Sequence, residues 1–186
     1  MATKIYLDQG HNPVNPNAGA EGNGYREQDL VYEIGRLTAE ILRRFGYEVR
    51  LSRPTSSTQL GTSNSTSLAA RVQEANTWGA DYFISLHTNA SDNSSASGSE
   101  AFVYRRNSVA EALADSILTE LNASTGLRNR GVMVRPSLYV LRRTRMPAVL
   151  VELGFITNPA DASLMAEDPI LFAAGVANGI RAYVSP

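Results

Sequence analysis

Short apolar runs alternate with helix-period segments along the chain, and that alternation restricts the fold more than any other feature. Ile5 to Leu7, Tyr47 to Leu51, Asp81 to Leu86, Glu100 to Tyr104, Ser137 to Leu141 and Ala148 to Val151 read as strands. Leu30, Val31, Ile34, Leu37, Thr38, Ile41, Leu42 and Phe45 recur at spacings of three and four, the stripe of an amphipathic helix, and Gly46 is placed as the residue past its end. Thr66 or Ser67 is the expected cap of a second helix through Leu68, Val72, Ala75 and Trp78. Val109, Leu113, Ile117 and Leu121 mark a third, and a last helical region with Leu171, Phe172, Val176, Ile180 and Tyr183 follows the sequence TNPAD. Strands alternating with helices predict an α/β domain with a largely parallel sheet. A length of 186 residues, 43% of them hydrophobic, is enough for one core, and with no repeat or linker in view the domain is expected to span residues 1–186.

Charge and composition narrow the partners. Seventeen basic side chains against 18 acidic leave a formal net charge of -1, so no bulk field recruits nucleic acid or an anionic membrane. A neutral or mixed-charge substrate fits better. The basic cluster from Arg128 to Arg145 has only Tyr139 interleaved as a stacking aromatic, and reads as a solvated or substrate-facing rim rather than an RNA surface. Without cysteine, a thiolate metal site and a cysteine nucleophile are excluded, and any metal must be held by imidazole and carboxylate. The opening MATKIYLDQGH has no h-region or cleavage site, and nowhere do about 18 apolar residues run together, so neither a signal peptide nor membrane insertion is expected. A monomer is the default expectation.

The chain has two histidines, and each follows an apolar run: KIYLDQGH ends at His11 and DYFISLH at His87. In an open α/β sheet the carboxyl ends of the strands line the ligand crevice, so two imidazoles placed this way are expected to share one site. A lone histidine is more often a core residue bonded to backbone; equivalent positions for both favour ligands or catalysts. Glu27 precedes Leu30 and Val31 by three and four residues, on the inward stripe of its helix, where an unpaired charge is costly. Either it faces a metal held beside His11, or it is a first-turn acid favoured by the helix dipole. Two histidines and one carboxylate leave a tetrahedral zinc with an open fourth position, the arrangement of catalytic sites. Glu152 interrupts PAVLVELGF and is either paired with Arg142, Arg143 or Arg145, or a general base. The long GHNPVNPNAGAEGNG segment beside His11 reads as a loop, as do PTSSTQLGTSNSTS and ASDNSSASGS. Its GNG lacks the Lys and Ser/Thr of a phosphate-binding loop.

Taken in order, LDQGHNP, GAEG, YREQDL, GYEVRLSRP, DYFISLHTNA and RGVMVRPSLYVLRRTRMPAVLVELGFITNPAD resemble the zinc-dependent N-acetylmuramoyl-L-alanine amidases of the amidase-3 family. The S-x-H-x-N and P-A-x-L-V-E-x-G-F-x-x-N blocks carry most of that likeness. The resemblance implies one Zn2+ on His11, Glu27 and His87, with Glu152 catalytic. It further implies a three-layer, zinc-hydrolase/phosphorylase-like domain with a twisted, mostly parallel sheet of about six strands between helices. The reaction implied is hydrolysis of the amide between N-acetylmuramic acid and L-alanine in peptidoglycan, at the cell wall, outside the membrane or in the periplasm. Asn89, expected to orient His87 or touch substrate, and Asn12, in the loop after His11, are the candidate substrate contacts. Two departures stand out: Asn12 and Pro13 replace glycines common after the first histidine, and Ser91 to Ser99 is too short for the occluding helix of some members. An open site is expected. The rivals are a metal-free phosphodiesterase, which would want paired H-x-[ST] motifs that are absent here, and an inactive wall-binding module of the same fold.

Overall fold

Parallel strands buried on both faces read as near-continuous apolar runs, and three such runs lie at the centre of the sheet. The computed structural model describes residues 2–184. Its elements in chain order are β1 (Lys4–Gln9), β2 (Glu21–Gly22), β3 (Tyr25–Arg26), α1 (Glu27–Arg44), β4 (Glu48–Leu51), α2 (Asn64–Trp78) and β5 (Tyr82–Asn89). There follow β6 (Ser99–Val103), α3 (Val109–Thr125), β7 (Asn129–Val134), α4 (Tyr139–Arg143), β8 (Ala148–Phe155), α5 (Pro159–Glu167) and α6 (Pro169–Val184). The six-stranded sheet has the order β4-β1-β5-β8-β6-β7. The first four of these strands are mutually parallel, β6 runs antiparallel to β8, and β7 is parallel to β6. The expected mostly parallel α/β sheet is what forms.

Two apolar clusters cover the two faces. The larger packs α1, α3 and α6 against the sheet through residues such as Val31, Ile34, Leu113, Ile117, Val176 and Ile180. The smaller holds α2 and α4 against the other face through Tyr6, Val72, Ala75, Phe83, Val140 and Leu150. Helix α1 buries Leu30, Val31, Ile34, Thr38 and Leu42 as its period requires, and Gly46 takes the left-handed φ of 92° just past its end.

Four local expectations are corrected. Ser137 to Leu141 is not a strand: the sixth strand is Asn129–Val134, and Tyr139–Arg143 is a short helix. Pro136 cannot donate to a ladder, a turn closes from Leu138 N–H to Arg135 O, and Val140 and Leu141 then share one buried helix face. Helix α2 starts earlier than Thr66 or Ser67; Ser63 is the cap, its hydroxyl accepting from Thr66 N–H while Thr66 Oγ1 accepts from Ser63 N–H. Inside the long glycine-rich loop, β2 and β3 pair antiparallel across Asn23 and Gly24, whose φ values of 52° and 83° suit a tight hairpin turn. The last helical region is two helices, broken at Asp168 ahead of Pro169.

Candidate metal centre

Adjacent parallel strands end together, so β1, β5 and β8 deliver their last residues to one edge. Asp8 pairs with Ser85, and His87 with Glu152, across the ladders. His11 lies just beyond β1, where Gly10 N–H still bonds Leu86 O at 3.0 Å. Glu27 is the first residue of α1, brought to this edge by the β2–β3 hairpin: its backbone N–H bonds Ala20 O.

The three side chains meet. Glu27 Oε2 is 3.2 Å from His11 Nε2 and Glu27 Oε1 is 3.1 Å from His87 Nδ1. The two imidazoles stand edge to face with centroids 4.9 Å apart. Each of the three residues offers a ligand atom within 4.8 Å of the others, a spacing that could hold a metal ion. Glu27 is nearly sealed, 3% exposed. Burial pushes its pKa up, but hydrogen bonds from His11 and His87 and their charges reverse the effect and hold it well below the usual carboxylate range. Backbone N–H groups of Ala20 and Thr88 also donate to its two oxygens, both at 2.9 Å. Both readings of Glu27 therefore meet in one residue, an inward carboxylate that is also the first-turn acid of its helix.

Close approach by backbone makes room for the cluster. A Cβ on Gly10 would overlap the His87 ring, and one on Gly19 would lie 2.8 Å from Glu27 Oε2 and 2.9 Å from His11 Cδ2. His11 itself has φ of 64°, a left-handed conformation that costs a non-glycine residue on the order of 1 kcal/mol and so must be held by its surroundings.

Glu152 sits beside this cluster on β8, between His87 on β5 and Glu100 on β6 in register. No lysine or arginine among the described residues lies within salt-bridge distance of it, so the pairing with Arg142, Arg143 or Arg145 does not form. Its Oε2 is buried without a partner. Burial, then the negative charges of Glu27 and Glu100, push its pKa up to about 8.

Asn12 is not placed as expected, and the bonds of Asn89 go to partners other than His87. Asn89 donates to Glu100 Oε1 at 2.7 Å and accepts from Ala90 N–H, and Arg130 completes the network by donating to Glu100 Oε2 at 2.8 Å. Asn12 is fully buried: its amide nitrogen donates to Pro16 O and Leu60 O, and its oxygen accepts from Leu60 N–H. It ties two loops together and has no atom free for substrate. Glu100, Gly10 and Gly19 also shape the site, and their traces in the sequence are the GH and AGAEG juxtapositions and the acid second in the strand SEAFV. Between β5 and β6 the chain forms turns and no helix, which leaves His11 and His87 about one-fifth exposed.

The family model described as N-acetylmuramoyl-L-alanine amidase matches residues 5–182. The chain belongs to this amidase family. The amidase chain is 39% identical over 163 residues to the N-acetylmuramoyl-L-alanine amidase LytC of Bacillus subtilis (strain 168), covering 86% of the chain but 30% of LytC. It is 33% identical to the amidase CwlM of Bacillus licheniformis, covering 97% of the chain and 68% of that protein. Among solved structures, the catalytic domain of the amidase CwlV from Bacillus (Paenibacillus) polymyxa var. colistinus superposes with a TM-score of 0.85 at 29% identity, covering 98% of both chains. The amidase chain thus spans less than a third of the length of LytC and most of that of a catalytic domain.

Proposed function

We propose that this chain is a zinc-dependent hydrolase of the amide joining the lactyl group of N-acetylmuramic acid to the L-alanine of the stem peptide, acting on peptidoglycan at the cell wall. One observation carries the reading: in a chain of this amidase family, His11, Glu27 and His87 converge within 4.8 Å beside a partnerless carboxyl, Glu152, on the neighbouring strand. The donor set suits zinc. Two imidazole nitrogens and a carboxylate are borderline ligands of the right kind, and tetrahedral donors about 2.1 Å from an ion stand about 3.4 Å apart. The separations of 3.1 and 3.2 Å here, each from a different Glu27 oxygen, are near that spacing, and one ligand atom from each of the three residues lies within 4.8 Å of the others.

Zinc held there supplies Lewis acidity, polarising the amide carbonyl and making water acidic near neutral pH. The protein's own groups do the rest. Ala20 and Thr88 N–H fix the Glu27 carboxylate so that it presents both oxygens to the histidines. Glu152 in its ionised form would take the proton from the attacking water and return it to the departing alanine nitrogen; without metal, burial and two neighbouring carboxylates favour its protonated form, and a divalent cation on His11, Glu27 and His87 would favour the ionised one. The exposed faces of His11 and His87 open to a surface rimmed by polar loops, in keeping with a polymer substrate. Retention of all four groups argues against an inactive wall-binding module.

The test is elemental analysis of the purified protein alongside a peptidoglycan digestion assay, before and after chelation and zinc restoration. One equivalent of zinc with activity lost on chelation is the expected result. Glu152→Gln should keep the metal and lose turnover by about 10²–10⁴-fold, the usual weight of general acid–base catalysis. A Glu152→Gln protein that clears peptidoglycan at the wild-type rate removes Glu152 from the mechanism, and an active protein without zinc removes the metal.

A further inference from the structure

Beneath the two histidines lies a buried ion pair that the chemistry above does not use. Arg71, on α2, and Asp8, on β1, are each 1% exposed. Arg71 NH1 donates to Asp8 Oδ1 at 2.5 Å and to Gln9 O at 2.6 Å, while NH2 donates to His11 O at 2.5 Å. The other Asp8 oxygen accepts from Ser85 Oγ at 2.7 Å, and Ser85 precedes His87 by two residues on the same strand. One guanidinium thus grips the carbonyls on either side of Gly10, through the turn that leaves β1, and its counter-ion is anchored to the strand that carries His87. Asp8, Arg71, His11 and His87 border the same small cavity of about 130 Å³.

We infer that Arg71 is a positioning residue for the metal centre: through the His11 carbonyl it holds that residue in its left-handed conformation and so aims the imidazole at Glu27. The inference rests on the metal-binding reading of His11, Glu27 and His87. Two features separate this from a core ion pair that merely fills space. A pair needed for charge neutrality alone requires Arg71 only to face Asp8, yet one of its two terminal nitrogens is spent on His11 O. The conformation held is also an uncommon one for a non-glycine residue, with φ of 64° and a cost that the surroundings must offset. A planar fork with two donor nitrogens serves Asp8 and His11 O at once; a lysine ammonium at the same depth has one nitrogen for both.

Zinc affinity, measured by chelator competition on folded protein, reads the proposal without reference to turnover. Arg71→Lys keeps the charge opposite Asp8 and gives up the second nitrogen; its zinc Kd should rise about 10- to 100-fold, the usual effect of removing a group that orients a metal ligand. A double variant, Asp8→Leu with Arg71→Met, removes both charges and leaves no orphaned ion in the core. It should fold, by urea midpoint and far-UV circular dichroism, and still bind zinc 10- to 100-fold more weakly. With zinc saturating, kcat should fall in both variants while KM for soluble wall fragments stays put, because Arg71 faces His11 and not substrate. Wild-type zinc affinity in either folded variant overturns the positioning role. Failure of both variants to fold assigns the pair to folding and overturns it as well. A wild-type protein that binds no zinc sinks the metal-centre reading itself, an outcome distinct from these.

Discussion

Glu27 and Glu152 occupy one site, and burial raises the pKa of both carboxyls, but only Glu27 has partners to reverse it. For Glu27 the histidines and two backbone donors win; for Glu152 nothing opposes desolvation and two neighbouring carboxylates add to it, leaving a pKa of about 8. The sign of the stability effect follows. Below about pH 4.5 Glu152 is protonated in folded and unfolded chains alike; above it the unfolded carboxyl ionises first, so folding must keep a proton that the unfolded chain releases. Metal-free protein should therefore lose stability against Glu152→Gln as pH rises from about 4.5 to about 8, with a slope on the order of 1 kcal/mol per pH unit, and no further above that. Urea midpoints of both proteins in chelator across that range check it; parallel curves would show that Glu152 ionises normally. Of the candidate site residues, His11 and His87 were legible from their places at strand ends; period and position left two readings each for Glu27 and Glu152, and the resemblance to the amidase-3 family chose between them. Asn12 was not, because its burial depends on a second loop, at Leu60, folding over it. Gly10 was not, because what requires it is a ring from a strand more than seventy residues away. At that position Gly10→Ala should leave the fold intact by circular dichroism and weaken zinc binding by about 10-fold or more, since the His87 ring has to move; unchanged affinity would mean the backbone yields instead.

Helix α2 shows how an element's end was misread while its existence was plain. Leu68, Val72 and Ala75 gave the period, but in a stretch of serines and threonines any of several hydroxyls could cap, and only the reciprocal bonds between Ser63 and Thr66 single one out. Ser63→Ala should cost about 1 kcal/mol of stability. Since Arg71 lies two turns further along α2, zinc affinity should not change; a coupled loss would mean that fraying of the first turn reaches the metal centre. The stretch from Leu138 to Leu141 failed differently. Four apolar or aromatic residues in a row fit a buried strand and one turn of buried helix equally well, and Pro136 together with the Leu138–Arg135 turn decided for the helix. The strand it displaced, Asn129–Val134, is an edge strand only partly buried, opening with Asn129 and Arg130 and with a glycine inside, so it lacked the apolar continuity by which the central strands were found.

For the molecule as a whole, the alternation of runs was enough to specify a parallel-centred sheet with helices on both faces, because β1, β5 and β8 are sealed on both sides and are apolar along most of their length, with polar residues concentrated towards their carboxyl ends. It could not specify that β6 turns antiparallel, since one strand's direction leaves no mark on its own pattern. That reversal puts the start of β6 at the same edge as the ends of β5 and β8, and so brings Glu100 next to Glu152. The cluster at this edge joins elements from across the chain: the loop after β1, the first turn of α1, the end of β5 and, through Arg71, helix α2. A ligand that binds these only when they are assembled stabilises the whole fold by mass action, by about 2.7 kcal/mol when free ligand is a hundredfold above Kd. For a domain of 150–250 residues, each kcal/mol raises Tm by roughly 2–4 °C, so saturating zinc should raise the Tm of this chain by roughly 5–10 °C over the chelated protein. Glu152→Gln should keep that shift, and His11→Ala and His87→Ala should abolish it. A shift that survives both histidine substitutions would place the bound zinc elsewhere on the surface and separate the metal's effect on stability from this site.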